Sequence, residues 1–389
     1  MIKPDQALKI ILSQAQVLGV EAVTLNQSLG RVLAEKIYSD LDIPAFNRSA
    51  MDGFAVNSKD TSKVFEIIED IPAGYVPRKK IRFGRCSRIM TGAMLPRGAD
   101  KVVKVEDTKL AANGLQLTAF EKKTNVSLKG EDVKNGQLIL EKGTKIRPQE
   151  AAMLATVGKT KIKVYCQPKV VVVSTGSELV EPACKPKLGQ IRNSNGHMLM
   201  LQLKRLGIKA KYLGIARDNF LATKKLVEKG LKQADILILS GGVSVGDYDF
   251  VEAVLRKCGV KILFNKVAIK PGKPTTFGIK KNKVVFGLPG NPVSVLVIFE
   301  LFVRPFIDAL VSQPNKDRFK QYQLLLDFKR KSAMREQYFP VTIEERGVRP
   351  IKFHGSAHMQ ALTQASGIML VPSGKTSIKK GTQVNVRPI

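Results

Sequence analysis

Asp247 and Asp249 close the stretch ILILSGGVSVGDYDF (236–250), where an apolar run stops at Gly241 and Gly242 and two serines and two acids follow within a few residues. Packing a core requires none of this. Glycines let backbone N–H groups approach an anion closely, and the positive end of a following helix adds to that field. Carboxylates alone would repel a phosphate. They make sense when a hard divalent cation such as Mg²⁺ sits between carboxylate and phosphate. Two more apolar runs end alike: VVVVS runs into Thr175-Gly176-Ser177-Glu178, and VVFG into Leu288-Pro289-Gly290-Asn291-Pro292. Glu178, Asp247 and Asp249 are therefore candidate metal ligands. Gly176, Gly241, Gly242 and Ser244 are candidate contacts to a phosphate-bearing ligand. The segment KVAIKPGKPTTFG adds Lys266, Lys270 and Lys273. Pro271 and Pro274 stiffen it and lower the entropy cost of holding the lysines, which bind oxyanions as point charges.

Each feature has a plainer explanation. Asp247 or Asp249 at the start of DFVEAVL fits a helix N-cap worth about 1 kcal/mol. Capping accounts for one of the two acids more naturally than for both. Strand ends use Gly for ordinary turns, so the weight lies in three such loops within one region. A further cluster, IPAFNRSAMDGFAV with Asp52, RIMTGAMLPRGAD with Thr91, and LKGEDVKNG with Asp132, reads first as turns, because Asp-Gly and Asn-Gly are strong turn signals.

The elements that must position these loops follow from texture. From about Pro168, β-branched runs (KVVVVSTG, IKAKYLGIA, ADILILSGG, KVVFGLPG) alternate with helical stretches (NGHMLMLQLKRLG, NFLATKKLVEKGLKQ, DFVEAVLRKCG, PVSVLVIFELFV). That alternation means βαβ units and a mostly parallel sheet covered on both faces. In such sheets ligands bind beyond the carboxyl ends of the strands, so the three loops should share one edge. Pro4 to about Leu18 reads as an amphipathic helix, with a second helical pattern near Leu25 to Ile37. Between Pro44 and Lys134 short alternating runs (KVFEII, DKVVKVE, LQLTAF) mark a strand-rich insertion, followed by a return segment near Gly136 to Lys163. After Pro314 short strands predict a small β domain.

The totals bound the rest. A chain of 389 residues is expected to hold two to four domains. No apolar run reaches the roughly 20 residues that span a bilayer, and MIKPDQALKIILSQAQ lacks a signal-peptide pattern. A cytoplasmic protein with no membrane contact is expected. Cys86, Cys166, Cys184 and Cys258 form no CxxC pair and fit reduced structural thiols. Against 33 Asp+Glu stand 64 Lys+Arg, a net charge of +31. The charge is spread from end to end, with no Trp and no basic block interleaved with aromatics, so no specific nucleic-acid partner is expected.

Together, PAFNRSAMDGFAV, TGAMLP, KGEDVKNG, STGSEL, IRNSN, SGGVSVGDYDF, IKPGKP and LPGNPVS resemble the MoeA family, the molybdopterin molybdenumtransferases, which includes the E domain of gephyrin. The resemblance covers essentially the whole chain, more loosely after Pro314. It implies four domains: a split helix-and-strand domain (1–43 and 136–167), an inserted small β domain (44–135), a molybdopterin-binding αβα domain of MogA-like fold (168–314) and a C-terminal β-barrel (315–389). It implies a homodimer that takes adenylated molybdopterin and molybdate with Mg²⁺, inserts molybdenum at the dithiolene and releases AMP. On the family pattern Asp52, Thr91, Asp132, Glu178, Asp218, Asp249, Lys266, Lys270, Lys273, Pro289 and Pro292 belong to the site. Asp218 joins the metal ligands. Asp52, Asp132 and the three lysines are catalytic, and Thr91 and the two prolines bind the cofactor. Asp52, Thr91 and Asp132 are expected to reach the other subunit's site. A molybdopterin adenylyltransferase and apo-molybdoenzymes are possible partners.

Three positions depart from the pattern: Ser127 stands where Arg is common, Ser177 where Asp is frequent, and Ser366 where Asn is common. Two rival functions stand beside the transferase. An adenylyltransferase explains the three loops but neither the insertion nor the β tail. A non-catalytic basic nucleic-acid-binding protein explains the charge alone. A family member that has lost activity and serves as a scaffold is a third.

Overall fold

A computed structural model of the chain describes residues 1–112, 114–119, 122–242, 251–313, 319–331 and 334–389. Ser244, Asp247 and Asp249 lie outside the described residues. Two compact units emerge: residues 35–142 with 148–161, and residues 1–34, 143–147 and 162–389. No helix among the described residues is long and apolar enough to cross a membrane.

The opening helix, α1 (Pro4–Ser13), buries Ala7 and Ile11. It stops short of the expected Leu18, whose N–H is donated to the Leu310 carbonyl at 2.9 Å. The second expected helix is absent. A single 3₁₀ turn occupies Leu25–Gln27. Beyond Gly30 (φ +75°), Gly30 and Leu33 donate to Ile146 and Thr144, and Ala34 donates to Lys163. The backbone groups are satisfied by distant segments, and tertiary pairing overrides a weak local preference.

The smaller unit is strand-rich, as its alternating runs predict. β1 (Gly53–Val56), β2 (Glu66–Ile71), β3 (Arg85–Ile89) and β4 (Lys101–Lys104) form a mixed sheet in the order β2-β3-β1-β4. Phe54 and Val56 pack on one face with Phe65 and Cys86, while Ala55, Ile71 and Val102 pack on the other. Burial pushes the Cys86 thiol up to about 12, the behaviour of an inert core thiol. Helix α2 (Pro148–Thr156) belongs to the same unit.

In the larger unit, β5 (Val170–Thr175), α3 (Ser194–Arg205), β6 (Lys211–Ala216), α4 (Phe220–Gln233), β7 (Ile236–Ser240), α5 (Val251–Lys257), β8 (Lys261–Phe264), β9 (Thr276–Lys280) and β10 (Lys283–Leu288) alternate as expected. The sheet order is β6-β5-β7-β10-β9-β8. The first four strands are parallel; β9 and β8 extend the sheet antiparallel. Side chains of a strand alternate between faces. Val170, Val172, Ile236 and Ile238 accordingly pack with Leu199 and Leu203 of α3, and Val171, Val173, Leu237 and Leu239 pack with Val227 of α4 and Val254 of α5. Both faces are covered, which is why VVVV and ILIL carry no polar alternation.

Past β10 the expected single helix is three pieces. α6 (Pro292–Ile298) and α7 (Arg304–Leu310) are joined by a π-helical turn, Phe299–Val303. The turn holds Glu300, fully buried, within 2.5 Å of Arg205, 3.0 Å of Arg304 and 2.8 Å of Arg387. Arg387 comes from the last strand, so one buried acid ties three distant parts of the chain.

The tail forms β11 (Lys320–Gln323), β12 (Glu336–Glu344), β13 (Gly347–Pro350), β14 (Gly367–Val371) and β15 (Gln383–Pro388). Antiparallel pairing runs β12-β14-β15-β11, with β13 hairpinned onto β12. Beyond β11, Leu324 bridges Val348 of β13 and the Leu325 N–H donates to its carbonyl at 2.9 Å. Val341, Val348, Met369 and Val386 are buried together.

Candidate active site

The strand register brings the three loops together. Ser174 pairs with Ser240, and Ser240 with Leu288, so β5, β7 and β10 end side by side. Cross-bonds knit their exits. Gly241 N–H donates to the Leu288 carbonyl at 3.0 Å, Thr175 Oγ1 to the Ser240 carbonyl at 3.3 Å, and Gly176 N–H to the Ala216 carbonyl at 3.0 Å. Gly241 has φ +93°, and a Cβ there would lie 2.4 Å from the Thr175 carbonyl oxygen. No other residue fits that approach. Gly242 follows at φ +63°.

Glu178 is exposed and folds back over Gly176, where an added Cβ would stand 2.6 Å from its Oε2. Asp218, from the loop after β6, joins the same edge. Its Oδ2 accepts the Ser177 N–H at 2.8 Å, and its own N–H donates to Ser177 Oγ at 2.8 Å. The serine that departs from the family pattern is thus the latch between two loops. Beneath them, Ser174 Oγ donates to Asn193 Oδ1 at 3.1 Å, Asn193 Nδ2 to Tyr212 Oη at 2.7 Å, and Tyr212 Oη to Glu181 at 2.8 Å. Burial and the Glu181 carboxylate push the Tyr212 phenol well above its ordinary range, so it remains a donor. Among the described residues no three acids, histidines or cysteines are arranged to hold a metal.

The helix starts do less than expected. Asn193 caps α3 by accepting the Gly196 N–H, and Asn219 caps α4 by accepting those of Leu221 and Ala222. At α6 the Val293 N–H is donated to the Ser356 carbonyl at 3.1 Å, and Asn291 Nδ2 to Ser356 Oγ at 2.8 Å. The amides expected to face an anion are partly used by side chains and by the C-terminal segment.

The lysine segment opens a cavity of about 990 Å³. Lys270, Lys273, Pro289 and Gly290 line one side; Lys329, Lys331, Arg335 and Phe339 line the other. Among the described residues its lining holds no acid. Lys270 and Lys273 are exposed, and Thr275 Oγ1 fixes the turn between them by donating to the Gly272 carbonyl at 2.7 Å. Pro289 is buried in the wall. Pro292 is the first residue of α6, where its missing N–H costs nothing. Lys266 is not among the lining residues; its carbonyl accepts the Ile2 N–H. Arg330 is structural, with donations to the carbonyls of Lys375, Arg335 and Pro372. Arg335 leans on the Ile269 carbonyl at 3.0 Å.

Sequence reasoning missed the basic residues on the C-terminal side. In a chain with 64 basic residues these four carry no local signal. The available clue was FKRKSAMREQYF (328–339), a basic run flanked by aromatics.

In the smaller unit, Asp52 and Thr91 meet: Asp52 Oδ1 accepts the Thr91 N–H at 2.6 Å and its hydroxyl at 2.7 Å. These two donors, the backbone one first, hold the Asp52 carboxyl below its ordinary range, and Arg88 adds to the effect. Ser127 pairs with Arg48 across a two-residue ladder, so the position that lacks the family's arginine faces another. Asp132 is exposed in the adjoining turn and donates its N–H to the Ile43 carbonyl at 3.0 Å.

Three family models match in chain order: the MoeA N-terminal region (domains I and II) over residues 2–158, a probable molybdopterin binding domain over 171–309, and the MoeA C-terminal region (domain IV) over 323–389. A molybdopterin molybdenumtransferase of Staphylococcus epidermidis is 36% identical over 397 residues, covering 99% of this chain and 95% of its own. One of Bacillus subtilis is 35% identical, covering 99% and 93%. A molybdopterin biosynthesis MoeA protein from Pyrococcus horikoshii superposes with a TM-score of 0.84 at 30% identity, covering 100% of both chains. On these matches the chain belongs to the MoeA family of molybdopterin molybdenumtransferases.

Proposed function

We propose that this protein inserts molybdate into adenylated molybdopterin with release of AMP, in molybdenum cofactor biosynthesis. The observation that carries this reading is the cationic cavity beside the aligned loops, whose lining among the described residues holds four lysines and two arginines and no acid. Molybdate is a dianion and the substrate a pyrophosphate. Lys270 and Lys273 hold the oxyanion, Lys266 adds positive charge to the same segment, and the lysines stabilise charge developing at the reacting phosphate. The glycine turns at Gly176, Gly241 and Gly242 leave room for the phosphates to approach beside Ser244, the N–H groups of Gly176 and Gly241 being themselves spent on the Ala216 and Leu288 carbonyls, and Pro289 and Pro292 shape the wall.

Glu178, Asp218, Asp247 and Asp249 would hold Mg²⁺. The oxygen-only donors at Glu178 and Asp218 suit a hard cation, which supplies charge neutralisation between carboxylates and phosphates. Asp52, Thr91 and Asp132 would serve the partner's site in a homodimer. The four-domain division given above is the one we propose, with the ring of strands after residue 320 as its barrel, acting in the cytoplasm. An adenylyltransferase and apo-molybdoenzymes are the proposed partners on either side of the reaction.

The test is reconstitution: purified protein, adenylated molybdopterin, molybdate and Mg²⁺, read by AMP release and activation of an apo-molybdoenzyme. Both signals are expected, each requiring molybdate. Formation of adenylated product from molybdopterin and ATP, with no molybdate-dependent AMP release, would replace this reading with the adenylyltransferase.

A further inference from the structure

We propose that Phe339 and Phe353 seat the flat nitrogen heterocycle of the substrate in the cavity whose lysines take its anionic part. This rests on the reading of the cavity as the transferase site. Three observations carry it. The first is volume. Pockets for small organic ligands run about 300–1,000 Å³, and this one, at about 990 Å³, lies at the top of that range. A tetrahedral oxyanion held by two lysines would leave most of it to water.

The second is the lining. It is cationic, yet Phe339 and Phe353 border it from the C-terminal side, both half-buried. Lysines recognise charge without regard to what carries it, so selectivity for an organic ligand has to come from other groups. Aromatic surface left in a hydrated basic cavity is unfavourable, and stacking a planar ring on it relieves that cost.

The third is preorganisation. Phe339 meets Phe328 edge-on, with centroids 4.6 Å apart and planes at 71°. Phe339 and Phe353 stand at 85° with centroids 6.3 Å apart. Phe353 lies parallel to His358, 5° between planes at 6.4 Å. Edge-to-face contacts fix the ring planes before any ligand arrives, so stacking costs little further ordering. None of the candidate residues drawn from the sequence belongs to this wall.

The chain contains no tryptophan, so Phe353→Trp provides a single reporter. Its emission is to be titrated with AMP, with molybdopterin under anaerobic conditions, and with molybdate alone, while calorimetry follows binding in parallel. Saturable quenching by AMP assigns the adenine to this wall; quenching by molybdopterin assigns the pterin. Molybdate alone should leave the emission unchanged. Phe353→Leu and, independently, Phe339→Leu should weaken the quenching ligand about ten-fold and leave molybdate binding at its wild-type value. The inference is overturned if both ligands bind by calorimetry with wild-type affinity to both leucine variants and neither quenches the tryptophan. If the wild-type protein binds neither organic ligand nor molybdate, the transferase reading fails and this inference fails with it.

Discussion

Replacing Glu300 by Gln removes the one acid shared by three arginines. The side chain of Glu300 is 0% exposed and that of Arg387 3%, against 48% for Arg205 and 33% for Arg304. The last two can turn to water, and an exposed pair is worth about 1 kcal/mol or less. Arg387 cannot. Burial pushes its pKa down and Glu300, helped by Asp308, holds it up, so the variant leaves a buried guanidinium without the acid that hydrogen-bonds it. Breaking a buried pair costs about 3–5 kcal/mol. At roughly 2–4 °C per kcal/mol, Glu300→Gln should lower the melting temperature by on the order of 6–20 °C in scanning calorimetry. Arg304→Met should cost only a few degrees. Because β15 carries Arg387 and lies one strand from β12, which borders the cavity, the half-saturating molybdate concentration should rise in Glu300→Gln as well. Glu300→Met with Arg387→Met should recover part of the loss, since apolar replacement of a buried pair is often neutral. A single variant melting with the wild type, or a double variant less stable than the single, would refute the argument.

Lys270→Gln should raise half-saturating molybdate about ten-fold with a smaller effect on the organic substrate, and excess molybdate should rescue turnover; an unchanged molybdate dependence removes Lys270 from the site. Asp249→Asn separates cap from metal ligand. Asn caps about as well as Asp, so retained turnover and an unchanged Mg²⁺ midpoint would leave only the cap, whereas we expect activity to collapse with little change in melting temperature. The Asp52 carboxyl is held below the ordinary 3.8 by Thr91. A depressed folded-state pKa stabilises above the unfolded value and loses that contribution as pH falls through the folded one. The melting temperature should therefore drop less steeply between about pH 4 and pH 2 in Thr91→Val than in wild type, and identical acid limbs would count against the bond. Sedimentation at micromolar concentration should show a dimer; a fully active monomer would remove Asp52, Thr91 and Asp132 from a partner's site.

Continuous β-branched runs announced the parallel strands, and their glycine stops announced the edge where the loops meet, because a strand buried on both faces leaves a one-dimensional trace. The antiparallel strands β8 and β9 were passed over. TTFG closes the segment read as anion-binding, and periodicity cannot separate a short strand from a loop that borders a site. The false helix at 25–37 failed for the opposite reason: its backbone partners lie more than a hundred residues away. Lys270 and Lys273 stood out between prolines. Lys329 and Arg335 did not, since their significance exists only once β12 lies beside them. Glu300 looked like any acid in a helix until three arginines converged on it.

The contacts of the lysine segment bear on synthesis. Ile269–Lys270 pairs with Glu336–Gln337, while Ile2 bridges Val267 and accepts the Ala268 N–H at 2.8 Å. The segment carrying the lysines is gripped from one side by residue 2 and from the other by residue 336. A nascent chain leaving the ribosome can close the parallel sheet when residue 288 emerges, yet its lysine segment lacks one flank until roughly fifty more residues have been made. The basic pocket is thus assembled by the latest and most distant contacts, the kind that dominate folding time. Oxyanion binding should appear as the final event of refolding, after the α/β core has formed.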